Sequence, residues 1–169
     1  MPHSFNLKPL SKDAIPAALA KAERYRLLNE PGEAESICLD VLQIDAANQD
    51  ALIIMILALT DQFPEESSKS AGRASDLVSR LTDEYDRAYY AGIIRERRAK
   101  AVLHHQRYGA VITAIDWLKE AMDCLERAER IRPAHNDDAV LRWNTCARLL
   151  MTLPEIEPES STPEPIQLE

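Results

Sequence analysis

Four histidines, three cysteines and a run of arginines are the side chains most able to do chemistry in this chain, and their spacing limits what that chemistry can be. His104 and His105 are adjacent. On a helix such neighbours point about 100° apart, which makes a poorer chelate than an i, i+4 pair. No Cys-x-x-Cys or His-Glu-x-x-His accompanies them, and His135 stands in a turn. Favourable charge at a helix C-terminus explains them better, and no metal or cofactor is expected. Cys38, Cys124 and Cys146 each lie on an apolar stripe, where burial raises a thiol's pKa and disarms it as a nucleophile. Widely separated and odd in number, they read as reduced core thiols of a cytosolic protein. Four glycines leave little room for a phosphate-binding loop, a Gly-x-Gly-x-x-Gly or a Gly-x-Ser-x-Gly, and none is present. The expectation is a protein that is not an enzyme.

The densest basic run is Arg95, Arg97, Arg98 and Lys100, interrupted by Glu96. A solvated helix face paired with nearby acids accounts for it without a partner. The sharper reading is a receptor for an acidic peptide, the chain's own glutamate-rich tail included, because arginine's forked donors suit carboxylates. Glu96 shares a helix face with Gly92 and Ala99. Either that face is open to solvent, or Glu96 is paired with an arginine such as Arg142 or Arg148, since an unpaired buried carboxylate is costly. A cavity lined by His104, Glu96 and Arg148 would favour a helical enzyme or small-ligand binder.

Helices must position all of these groups. The chain has 169 residues, 46% of them hydrophobic, with Ala, Leu, Arg and Glu prominent and few segments of period two, so an all-α domain is expected. Residues 1–12, with Pro2 and Pro9, read as an extended arm, and 13–153 as the helical domain. Asp13 is a cap for a first helix whose opening turn accommodates Pro16. Ile15, Ala18, Ala22 and Tyr25 mark its buried face. Asn29-Glu30-Pro31-Gly32 breaks the chain, with Pro31 placed to start the next helix. Ala34, Ile37, Cys38, Val41 and Leu42 form one stripe, Asn48 caps a new helix, and Ala51–Leu59 runs apolar. That run is too short to cross a bilayer, so it predicts a mostly buried helix.

Phe63 to Ser68 reads as a polar loop, and a break is expected near Thr82-Asp83. A long helix from Val111 to Ile131 carries one stripe of Ile115, Leu118, Met122 and Leu125 and another of Trp117, Ala121, Cys124 and Ala128. Arg132-Pro133 ends it. Asn136 or Asp137 caps a last helix bearing Val140, Trp143, Ala147 and Leu150. Residues 154–169 hold four prolines and five glutamates and no base, which predicts a disordered acidic tail. The formal charge of −8 is therefore uneven, and residues 84–153 hold twelve bases against ten acids. No broad basic field argues for nucleic acid or an anionic membrane, and no apolar leader argues for export, so a cytoplasmic location is expected.

The phrase Ala34…Val41-Leu42…Ile44-Asp45-Ala46-Ala47-Asn48-Gln49-Asp50-Ala51-Leu52, preceded by Ala22 and Tyr25, resembles the second helix, turn and restart of a tetratricopeptide repeat. Ala121…Leu125…Ala128…Ile131-Arg132-Pro133 resembles it again, with Pro133 at the family's characteristic proline. With a period of about 34 residues, units of about 15–48 and 49–82, an enlarged third unit of about 83–136 and a capping helix follow. The resemblance implies a right-handed α-solenoid of stacked antiparallel helix pairs that binds a protein or peptide in a concave groove. By repeat place that groove would be lined by Leu19, Glu23 and Arg26, by Ile53, Leu57 and Asp61, and by Tyr89, Ile93 and Arg97. An adaptor, assembly factor or chaperone is the function implied. A structural subunit or homo-oligomer would use the same surface.

Overall fold

In a computed structural model that describes residues 3–105 and 109–155, the protein is all-helical, with seven α-helices and no strand among those residues. They are α1 (Ile15–Leu27), α2 (Pro31–Ile44), α3 (Gln49–Asp61), α4 (Phe63–Val78), α5 (Glu84–His104), α6 (Ala110–Arg130) and α7 (Asp138–Leu150). The arm from His3 to Ser11 carries no regular structure, and Phe5 within it is 81% exposed. The tail from residue 156 onward lies outside the described residues, as does Tyr108.

Connections of one to seven residues oblige each helix to fold back on the one before it. Every helix packs on its sequence neighbour, and α1 meets α3, α3 meets α5 and α5 meets α7 along one side. Alternate helices consequently run the same way. At one end of the last three helices Tyr85, Ala128 and Ala139 share a small core. At the other, Ala99, Leu103, Ala114, Leu150 and Leu153 belong to a second. α5 and α7 are thus parallel, and their C-terminal ends lie together.

Local chemistry explains most boundaries. The Asn48 carboxamide oxygen accepts from the Ala51 amide at 2.9 Å, and the Asp83 carboxylate from the Asp86 amide at 3.0 Å, each satisfying an orphan donor at a helix start. α1 ends in a Schellman turn: Glu30 N–H donates to Tyr25 O at 2.9 Å and Asn29 N–H to Arg26 O at 3.0 Å, with Asn29 at φ +61. Gly109, at φ +75, occupies the N-cap of α6 in a backbone form that favours glycine. At α7 the side chain of Asn136, not Asp137, receives the first amide, that of Asp138, at 3.0 Å.

Three local expectations are corrected. Asp13 is not the cap of α1: it lies within a 3-10 turn, Lys12–Ala14, and the N-cap is Ala14, with no side-chain bond. Phe63 to Ser68 is not a loop but the start of α4, reached through the single residue Gln62. Proline in a first turn costs no intrahelical bond, and Phe63 is a fully buried anchor that commits the chain to packing at once. On α7 the buried residues are Ala139 and Cys146, while Val140, Trp143, Ala147 and Leu150 are half-buried, because α7 sits at the edge of α5 and α6.

Ala51–Leu59 supplies the centre of the main core, where Leu52, Ile56 and Leu59 lie with Phe63, Ala74 and Ile94. On α6 the two stripes merge into one face of Leu118, Ala121, Cys124, Leu125 and Ala128. Among the described residues, no helix is long and apolar enough to cross a membrane.

Candidate functional site

The basic run on α5 does not act as one patch. Helical rotation of about 100° per residue sends its members to different partners. Arg95 donates to Glu120 at 3.1 Å, and Arg98 stacks over Trp117 with its guanidinium 3.8 Å from the ring centre. Burial and the neighbouring Arg95 push Arg98 below its ordinary pKa. Lys100 bonds Glu96, and Arg97 turns toward α3, where it bonds the Asp61 carboxylate and donates to Thr60 Oγ1 at 3.0 Å.

Asp61 also accepts from Arg26 Nε at 2.9 Å, and Arg26 reaches Glu23 at 3.1 Å. A continuous chain of charges, Glu23–Arg26–Asp61–Arg97, therefore crosses α1, α3 and α5. The contacting residues are 35 and 36 positions apart in sequence. This line borders a cleft of about 440 Å³ at the C-terminal ends of the three helices. Lys100, His104 and Asn29 project onto it beside the arginines, with Phe63, Pro64 and Ala101 as its apolar wall. Its charged lining is three permanent cations against one carboxylate.

Glu96 is the most buried charge among the described residues, at 0% exposure, and it is paired. Lys100 of its own helix bonds it, and Arg142 of α7 lies 3.3 Å from Oε2. Burial opposes the charge on Arg142, but Glu96 and the Tyr89 hydroxyl outweigh burial and raise its pKa. Arg148, the alternative partner, is exposed. His104 lines the cleft while Glu96 lies behind it, so the constellation His104–Glu96–Arg148 is not assembled.

The residues placed on the groove by repeat position separate into three groups. Glu23, Arg26, Asp61 and Arg97 come together in the ion-paired line. Leu19, Ile53 and Leu57 are half-buried, and Ile53 packs against the main core. Tyr89 and Ile93 face elsewhere. Tyr89 stacks on Tyr85 with ring centres 5.6 Å apart and meets Tyr90 edge-on at 5.2 Å. Ile93 is 1% exposed and cannot touch a partner, which corrects its assignment to the groove. Of the three, Arg97 alone lies on the face that Arg26 and Asp61 share. Lys100, His104 and Asn29 were not among the expected groove residues. The first two follow Arg97 by three and seven places, a helical spacing that points to the same face.

Cys38 and Cys146 are buried, and desolvation pushes their thiols up to about 12 and about 11. The His104 and His105 rings meet edge to face at 5.8 Å. Among the described residues no three His, Cys, Asp or Glu side chains are grouped to hold a metal. No protein-family model, curated protein or solved structure matches the chain.

Proposed function

We propose that this protein is a tetratricopeptide-like helical solenoid and a non-enzymatic interaction module, whose α1–α3–α5 face receives an extended segment of another protein. The observation that carries the reading is the Arg26–Asp61–Arg97 line, in which side chains from successive units meet at separations of 35 and 36 residues. Other ties have nearly the same step. Arg80 donates to Ala46 O across 34 residues, Thr82 N–H to Gln49 across 33, and Arg73 to Glu35 across 38. A recurrent step of this size is what stacking of like units produces. The face offers a cleft, half-buried ion-paired Arg26 and Arg97, exposed Lys100 and half-buried Leu57, a mixture of charged and apolar groups suited to a peptide.

Selection from a displayed peptide library tests this. Selected peptides should lose about tenfold or more in affinity for Leu57→Asp or Arg97→Ala, a loss of about 1.4 kcal/mol. Circular dichroism should show both variants folded. Peptides that bind both variants as well as the unmodified protein would place the recognition surface elsewhere.

A homo-oligomer has a separate observation in its favour. Leu10, Ala14, Ala17, Ala18 and Ile37 line an apolar hollow of about 310 Å³ on the outer side of α1 and α2, and Leu7 of the arm is exposed. Light scattering on the full chain, with Ala17→Glu as comparison, distinguishes a dimer through this hollow from a monomer.

A further inference from the structure

We propose that the cleft between the first turns of α5 and the last turns of α6 binds a phosphomonoester anion, held by Arg87, Arg127 and Arg130. The site stands independently of the groove reading and lies at the opposite end of α5. Arg87 precedes Arg97 by ten places, which is about 15 Å along a helix.

The two helices run antiparallel, so the start of α5 lies beside the end of α6, over the small core that holds Tyr85, Ala88 and Ala128. A cleft of about 440 Å³ opens there. A spacing of three puts Glu84 with Arg87 on one wall and Arg127 with Arg130 on the other, and Ala88 and Ile131 complete the lining.

These arginines differ from those at the ion-paired line. Arg26, Arg97 and Lys100 each bond a carboxylate, whereas no ion pair among the described residues includes Arg87, Arg127 or Arg130. Arg87 Nη1 donates instead to Leu81 O at 2.7 Å and Thr82 O at 2.9 Å. Those bonds fix the half-buried side chain and leave its Nε and Nη2 donors for a ligand. Arg127 has one weak tie, to Cys124 Sγ at 3.2 Å, and Arg130 is exposed. Neighbouring acids are engaged on the α7 side of α6, where Glu126 accepts from Trp143 Nε1 at 3.1 Å and Glu129 from Arg132 at 3.2 Å. At the cleft itself the three arginines exceed Glu84 by two formal charges. The N-terminus of α5 and the C-terminus of α6 contribute opposite partial charges that offset each other.

The size of this excess selects the ligand. A carboxylate brings one charge and two oxygens, which a single guanidinium fork satisfies. A phosphomonoester brings about 1.5 to 2 negative charges and three acceptor oxygens, enough for three forks. Ala88 and the 43% exposed Ile131 leave an apolar flank for the carbon group that carries the phosphate.

The test follows backbone amides of the full chain by NMR at fixed ionic strength, with inorganic phosphate, N-acetyl-phosphoserine amide and N-acetyl-glutamate amide as probes. Both phosphates should shift Arg87, Ala88, Arg127 and Arg130 saturably. Arg127→Gln/Arg130→Gln, which alters two exposed side chains, should weaken that binding about tenfold or more with circular dichroism unchanged. Arg24→Gln/Arg148→Gln removes the same charge from exposed sites elsewhere and should leave it unchanged. Tighter binding of N-acetyl-phosphoserine amide than of inorganic phosphate would support the site with a phosphorylated side chain as its source, and the reverse order would support it with the free anion. The site is overturned by shifts that do not saturate, by an equal loss in the two double variants, or by N-acetyl-glutamate amide binding as tightly as the phosphates. None of these outcomes bears on the groove, which the peptide selection judges.

Discussion

Glu96 shows how one residue's surroundings set its role. Its carboxylate is fully buried, yet two cations reach it, each keeping part of its own side chain in water. Removing one partner of a buried pair leaves a charge that nothing solvates. Arg142→Ala should therefore cost about 3 kcal/mol, whereas Arg95→Ala, which breaks a largely exposed pair with Glu120, should cost under about 1 kcal/mol. Urea denaturation of the two variants measures the difference, and equal costs would mean that Lys100 alone satisfies Glu96. The buried thiols give a second expectation at this scale. Folding holds Cys38 at about 12 and Cys146 at about 11, above the ordinary 9.0, by keeping them from water. Thiols in the unfolded chain ionise first as pH rises. Their contribution to stability is whole below pH 9 and is lost as the pH climbs through the folded values. Iodoacetamide at pH 8 should alkylate these two cysteines in urea and spare them in the native protein; equal rates would show that they are open to solvent.

At the scale of elements, α5 and α6 approach closely at Gly92. A Cβ on Gly92 would lie 2.8 Å from Leu125 Cγ and 3.3 Å from the Ala121 carbonyl oxygen. Leu125 is fully buried, so it must shift against packed neighbours to make room. Alanine would gain about 1 kcal/mol of helix propensity and incur about 1–3 kcal/mol of overpacking. Gly92→Ala should therefore destabilise by about 1 kcal/mol, whereas Gly72→Ala, on an exposed face with nothing within 4 Å, should stabilise by up to about 1 kcal/mol. Thermal unfolding decides, and stabilisation by Gly92→Ala would show that the two helices can separate without loss. The breaks after α1, α2 and α4 were legible because Asn29, Asn48 and Asp83 act through bonds a few residues long. The start of α4 was not. A Pro-Glu-Glu-Ser stretch is loop chemistry by composition, and only the burial of Phe63 against the main core makes it a helix.

Contacts pass from each helix to the next and, among α1, α3, α5 and α7, to the next but one, so stability should be graded along the chain instead of uniform. α5 and α6, the longest helices at 21 residues each, share the most extensive interface. α1 has only α2 and α3 behind it and buries Ala22 alone. Hydrogen exchange should open α1 first and α5–α6 last. Uniform protection from α1 to α7 would instead indicate a single cooperative core.

The sequence by itself determined the all-helical class, the breaks near Asn29, Asn48 and Asp83, and that Glu96 had to face solvent or find a cation, because periodicity, capping bonds and the cost of a lone buried charge act locally or admit few solutions. Arg26, Asp61 and Arg97 came under suspicion through the resemblance to a tetratricopeptide repeat and not through any local pattern. Only the tertiary structure decided that Ile93 is core, that the basic run divides among four partners, and that charged side chains of α1, α3 and α5 meet around one cleft. A residue's exposure and a charge's neighbour depend on the angle and offset between helices far apart in the chain. Those follow from how side chains fit, and no local pattern encodes them.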